Sequence, residues 1–97
     1  MIIYVDIDNT ICITHEGQYD QSRPIQKNID KVNGLFENGH YITYWTARGG
    51  NTGIDHTELT ISQLKEWGCK YHKLVMNEKP SFDILLDDKA MNINSLI

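Results

Sequence analysis

Apolar residues are distributed along the chain in two rhythms. Short, nearly continuous runs occupy Met1 to Val5, Tyr41 to Trp45, Tyr71 to Met76 and Phe82 to Leu86, each rich in β-branched or aromatic side chains. Such runs predict strands of a buried parallel sheet. Between them the spacing lengthens to three and four. Ile25, Ile29, Val32, Leu35 and Phe36 predict a helix that Pro24 opens near its first position and Asn38-Gly39 closes. Ile61, Leu64 and Trp67 predict one face of a second helix from about Asp55 to Trp67, with Asp55 and Glu58 in its first turn and Gly68 as its stop. Ile11 to Thr14 keeps some alternation, and His15-Glu16-Gly17-Gln18 reads as the tip of a small hairpin over about 11–20, a candidate flap. The tail from Ala90 to Ile97 has room for one helical turn.

Strand, helix, strand, helix, strand, strand is the grammar of an α/β domain with a mainly parallel sheet. Polar residues follow every predicted strand: Asp6 and Asp8 the first, Thr46 and Arg48 the second, Lys79 the third, Asp87 and Asp88 the fourth. Open α/β sheets bind ligands at the carboxyl ends of their strands, so one edge should gather all of them. Asp6 and Asp8 repel each other unless a cation or a shared proton intervenes, and Asn9-Thr10 supply side chains suited to a sharp turn there. A helix-loop-helix calcium site is excluded, since its sixth position would be Ile11 and its twelfth Gly17. Asp87-Asp88 add to the demand for positive charge, and oxygen ligands suggest magnesium. Lys79, held extended by Pro80, and the Thr46 hydroxyl suit an oxyanion such as a phosphoryl group. Arg48 suits either a bidentate contact to phosphate or substrate or a pairing with a surface acid.

At 97 residues the chain reads as one domain with a modest core, for which assembly with a second copy is a plausible source of stability. A net charge of −4 offers nothing to a nucleic-acid backbone, and no apolar stretch approaches membrane-spanning length. Cys12 and Cys69 form no disulfide framework, and Cys12 with His15 lacks the second half of a zinc site. With a first strand at the start in place of a secretory signal, the expected location is the cytoplasm.

Val5-Asp6-Ile7-Asp8-Asn9-Thr10-Ile11, Thr46-Ala47-Arg48, Lys79-Pro80 and Leu86-Asp87-Asp88 resemble, in order, the four motifs of the haloacid dehalogenase superfamily. Gly39-His40-Tyr41-Ile42, Gln63 to Gly68 and Asp87 to Asn92 are similar to its small capless members, the capsule or polysaccharide biosynthesis phosphatases. The resemblance covers nearly the whole chain. It implies a single Rossmann-like three-layer domain over 1–97 without a cap, since the two usual insertion points hold only the hairpin and one helix-strand unit. It also implies a magnesium-dependent phosphatase acting on a small phosphorylated metabolite, a sugar phosphate by preference.

In that scheme Asp6 is the nucleophile that forms an aspartyl-phosphate, and Asp8 is the acid and then the base. Asp6, the Asp8 carbonyl and Asp87 ligate Mg2+, with Asp88 as a further ligand or an orienting group. Thr46 and Lys79 steady the phosphoryl oxygens, joined by Arg48 if it faces them. Glu78 departs from relatives that carry glycine before the lysine. Two other classes remain open: a signalling receiver domain, whose acidic pair follows its first strand and not its last, and a silent binding subunit of the same fold.

Overall fold

The computed structural model describes residues 1–50 and 53–77, together with the strand 84–86. Strand β1 (Ile2–Asp6) leads to a two-residue strand β2 (Cys12–Ile13), a short 3-10 turn (Tyr19–Gln21), and β3 (Arg23–Pro24). Helix α1 (Gln26–Glu37), strand β4 (Tyr41–Thr46), helix α2 (Thr57–Glu66), and strands β5 (Lys73–Met76) and β6 (Ile84–Leu86) follow. The expected tail, Phe82 and the residues from Glu78 to Pro80 lie outside the described residues.

The main sheet runs β5-β4-β1-β6 with every pairing parallel. Asp6 is registered with Trp45, Thr46 with Met76, and Val5 with Leu86. The chain therefore builds outward from β1 to β5 and then returns to the other side of β1. That reversal makes the carboxyl end of β1 a topological switch point, where such sheets leave a crevice for ligands. Because all four strands are parallel, the ends of β4, β5 and β6 share that edge with Asp6.

Ile42, Thr43 and Tyr44 are buried in succession, so both faces of the central strand are covered. Ile3, Val5 and Ile7 alternate into the core, where Ile29 and Val32 of α1 and Leu64 of α2 meet them. Asn28, also buried, spans from α1 to the turn after β1 by donating to the Thr10 carbonyl at 2.9 Å. No helix among the described residues is long and apolar enough to cross a membrane.

Two local expectations are corrected. Pro24 lies in β3, opposite Cys12, and α1 starts two residues later at Gln26. Proline's fixed φ suits an edge strand as well as a first helical turn, and a two-residue ribbon loses little from the missing N–H. Helix α2 presents Thr60, Gln63 and Leu64 inward, while Ile61 is 46% exposed. Leu64 and Trp67 are buried as expected, so the departure is confined to Ile61, whose place on the buried face Thr60 and Gln63 take for a reason that lies in the site. The amino end of α2 is held by Asp55, whose carboxylate accepts the Thr57 N–H at 2.9 Å; hydrogen bonds from the Thr57 side chain and from that N–H keep the Asp55 carboxyl below its ordinary pKa.

Candidate functional site

After Asp6 the backbone turns sharply. Ile7 is fully buried, so the carboxylates on either side of it stay half-buried at the rim of the sheet. Asn9 takes the left-handed conformation (φ 62°) that asparagine tolerates, and its Oδ1 accepts the Thr14 N–H at 3.2 Å. Its own N–H reaches the Cys12 carbonyl at 2.8 Å. This turn carries the chain into the flap. The Asp6 Oδ1 accepts the N–H of Ile7 at 2.9 Å, which fixes its rotamer at the strand end.

The Asp8 carboxylate meets Arg48 across the site. Arg48 donates from Nη2 to Asp8 Oδ1 at 2.7 Å and from Nε to Oδ2 at 3.0 Å, the fork geometry of guanidinium and carboxylate. Nη1 donates to Gln63 Oε1 at 2.6 Å and Thr60 Oγ1 at 3.2 Å, and Nη2 reaches Ser22 Oγ at 3.4 Å. All five N–H groups of the guanidinium thus have acceptors within the protein, and the residue is only 1% exposed. The sequence leaves open a contact to phosphate or substrate and a pairing with a surface acid; in the structure Arg48 pairs with neither of these but with Asp8 of the site itself.

Arg48 also explains the turned face of α2. A buried guanidinium without acceptors is far more costly than burying one hydroxyl and one amide that accept from it, so Thr60 and Gln63 face inward and Ile61 faces out. Gln63 in turn donates to the Tyr19 carbonyl at 2.6 Å, tying α2 to the flap. The Tyr19 ring lies 5.0 Å from the guanidinium carbon. Ser22 and Thr14 complete the circuit: their hydroxyls are 2.6 Å apart, and Thr14 donates to Asp8 Oδ1 at 2.7 Å. Asp8 Oδ1 is therefore crowded with donors. Oδ2 receives only the Nε–H, so it is the oxygen with lone-pair capacity to spare.

Thr46 ends β4 beside Asp6 and is 1% exposed; its hydroxyl accepts the Arg48 N–H at 3.2 Å. Asn77, at the end of β5 with φ 63°, donates its side-chain amide to the Arg48 carbonyl at 2.9 Å, and its own N–H reaches the Thr46 carbonyl at 2.9 Å. The loops after β4 and β5 are thereby locked together. Cys12 is a core residue, with Sγ near the Ile7 carbonyl and Asp8, while His15 is exposed. Burial raises the Cys12 pKa and pushes the Cys69 thiol up to about 11, so neither is a thiolate at neutral pH.

Thr14, Tyr19, Ser22, Thr60, Gln63 and Asn77 are the site residues that periodicity does not reveal. A usable signal existed for two of them: Thr60 and Gln63 sit three apart beside Leu64, a polar pair on a helical stripe next to an apolar one. Lys79, Asp87 and Asp88 lie outside the described residues, and no group of three acid, histidine or cysteine side chains gathers among those described. Among the described residues, Asp6 offers a half-exposed carboxylate oxygen at a strand end, a hard donor of the kind magnesium takes, while the Asp8 side chain is engaged by Arg48.

Gly49 shapes the adjoining loop. Its φ is +82°, and an added Cβ would run into the Ile54 carbonyl oxygen. Gly49→Ala is expected to destabilise the protein by about 2 kcal/mol through left-handed strain and that collision, measured as a lower urea midpoint with an unchanged m-value.

No protein-family model matches the chain, and no curated protein matches it. Its fold is similar to the crystal structure of an MCSG target protein from Vibrio cholerae, with a TM-score of 0.70 at 19% sequence identity, over 82% of this chain and 72% of that one. At that identity the likeness is one of fold: a small α/β architecture with a parallel sheet.

Proposed function

We propose that the chain is a magnesium-dependent phosphatase of the capless haloacid dehalogenase type, acting on a small phosphate ester. One observation carries this reading. Parallel strands bring Asp6, Asp8 and Thr46 to a single edge at the switch point, and β6, paired with β1, ends at Leu86 opposite Val5 on that same edge.

Counting only the main strands, the order is 3-2-1-4. That supports a Rossmann-type arrangement over the receiver domain, whose 2-1-3-4-5 order puts its third strand on the opposite side of the first.

In this reading an Asp6 carboxylate oxygen attacks phosphorus as the bond to the leaving oxygen breaks, and Asp8 gives that oxygen a proton that it has taken up on Oδ2 before the transfer. Water, deprotonated by the same Asp8, then attacks the aspartyl-phosphate and releases inorganic phosphate. Asp8 Oδ2 is the atom suited to both transfers, since Oδ1 is occupied by Arg48 and Thr14. Thr46 and Lys79 would steady the phosphoryl oxygens. Asp6, the Asp8 carbonyl, Asp87 and Asp88 would hold Mg2+, which when bound offsets the charge of the phosphoryl group. Among the described residues the flap spans only the segment before α1, and in this reading no cap domain closes the site to substrate. A second copy would cover exposed Ile13 and Ile54.

The test is phosphate release from a panel of phosphate esters with millimolar magnesium. Turnover that is lost on chelation with EDTA and restored by magnesium is expected. Stoichiometric self-phosphorylation without release would instead favour a receiver, and no reaction with any ester would favour a binding subunit.

A further inference from the structure

The flap is tied to Asp8 by a pair of hydroxyls. Strands β2 and β3 pair Cys12 with Pro24 and Ile13 with Arg23, and continuing that antiparallel register by one residue sets Thr14 opposite Ser22. Their side-chain oxygens lie 2.6 Å apart, and both residues are half-buried. From this pair Thr14 Oγ1 reaches Asp8 Oδ1 at 2.7 Å, the same oxygen that Arg48 Nη2 meets at 2.7 Å. Ser22 Oγ faces Arg48 Nη2 in a longer contact of 3.4 Å, and the buried Cys12 thiol adjoins Thr14 Oγ1 at 3.4 Å.

Counting protons fixes the direction of these bonds. A carboxylate only accepts and a guanidinium only donates, so with Asp8 ionised the Thr14 proton is committed to Oδ1. Thr14 Oγ1 then accepts from Ser22, and Ser22 Oγ, its own proton spent, accepts from Arg48. The bonds run one way, from Arg48 through Ser22 and Thr14 to the carboxylate that Arg48 also holds directly. Each link polarises the next, so the closed chain holds Oδ1 more firmly than its bonds would separately. Arg48 leaves one freedom unchecked: its Nε straddles the carboxylate at 3.2 Å from Oδ1 and 3.0 Å from Oδ2, a contact that tolerates sliding and twist. A second donor, carried by the flap and not by the loop after β4, removes it.

We propose that Thr14 and Ser22 are positioning residues for proton transfer to the leaving oxygen: the hydroxyl pair at the base of the flap holds Asp8 Oδ1 so that Oδ2 presents its proton to the departing group. The inference rests on the phosphatase reading. In that step the proton on Oδ2 passes to the leaving oxygen as its bond to phosphorus breaks, and Asp8 is left ionised, the state in which the hydroxyl chain is complete. A general acid loses effect once its atom strays from hydrogen-bond reach of the oxygen it serves, so a carboxylate held from two elements transfers its proton better than one held from a single side. Both hydroxyls act through Asp8 and neither needs to touch substrate.

The experiment measures kcat/KM with magnesium for two esters: glycerol 1-phosphate, whose alkoxide departs only with a proton, and 4-nitrophenyl phosphate, whose phenolate departs without one. The ratio of the two values in one preparation reads the acid step and is independent of the fraction of protein folded. Thr14→Val, which keeps the shape and removes the hydroxyl, is expected to lower kcat/KM for the alkyl ester by about 10-fold or more and for the aryl ester by less than about 3-fold. Thr14→Ser should restore most of the wild-type ratio. Ser22→Ala is expected to move the ratio the same way by a smaller factor, and adding it to Thr14→Val should cost nothing further, since both belong to one chain. An equal fall on both esters, an unchanged ratio in Thr14→Val, or a double variant that multiplies the two single losses overturns the positioning role while the phosphatase reading stands. A wild type that hydrolyses neither ester overturns both.

Discussion

Arg48→Met is expected to cost the protein about 3 kcal/mol of stability, the largest loss of any single substitution in the described residues outside the apolar core. Removing one partner of a buried ion pair typically costs about 3–5 kcal/mol, because the other charge is left without compensation. Here the Asp8 side chain keeps 21% exposure, which lets water relieve part of that penalty. Gln63 Oε1 and Thr60 Oγ1 lose their donor at the same time and stay enclosed, which returns roughly 1 kcal/mol or more to the total. A domain of this size has only about 5–15 kcal/mol in hand, so the urea midpoint should fall steeply. Lysine does not substitute for the fork: Arg48→Lys keeps one charge but cannot reach Asp8, Thr60 and Gln63 together, and should recover less than half of the loss. The double variant Arg48→Met with Asp8→Leu provides the control, since it replaces the pair by apolar side chains. It should be more stable than Arg48→Met alone. If the double variant is instead less stable by the sum of the two single losses, Asp8 and Arg48 are not coupled.

The same ion pair marks where sequence reading stops. Strands β1 and β4 are legible because four or five consecutive apolar or β-branched residues, bounded by polar ones, leave few other folds open. Helix α1 is legible because Ile29 and Val32 repeat at a helical interval. Asp8 and Arg48, by contrast, are 40 residues apart, and no local pattern couples them. What each motif does reveal is its position: an acid after one strand and a guanidinium after the neighbouring strand must end up near each other once the two strands pair in parallel. The choice between a phosphate contact and an ion pair needed the third dimension, as did the inward turn of Thr60 and Gln63. Pro24 is ambiguous for a different reason. One fixed torsion serves two structures, and only the partner strand at Cys12 distinguishes them. Asn77 lies just past β5, and its bond to the Arg48 carbonyl depends on the adjacency of β4 and β5, which no local pattern reveals.

Asp6→Asn is expected to abolish turnover, by about 10³-fold or more, while leaving the fold within about 0.5 kcal/mol of wild type. The two halves of that expectation have separate physical grounds. Asparagine keeps the shape of the side chain and an oxygen that can still accept the Ile7 N–H, so a half-exposed strand end loses no packing. An amide oxygen, however, is a poor nucleophile toward phosphorus and carries no charge for a metal, so the chemistry has no route through it. Asp8→Asn should behave differently. It also removes the acid and base, but it turns an NH2 group toward the Arg48 donors or leaves Thr14 and Arg48 sharing one neutral oxygen, and stability should fall by roughly 2 kcal/mol. Two inactive variants of adjacent acids, one as stable as wild type and one distinctly weaker, would separate the reacting carboxylate from the clamped one. Should Asp6→Asn retain wild-type turnover, the phosphoryl group is not carried by Asp6, and the nucleophile lies elsewhere on the sheet edge.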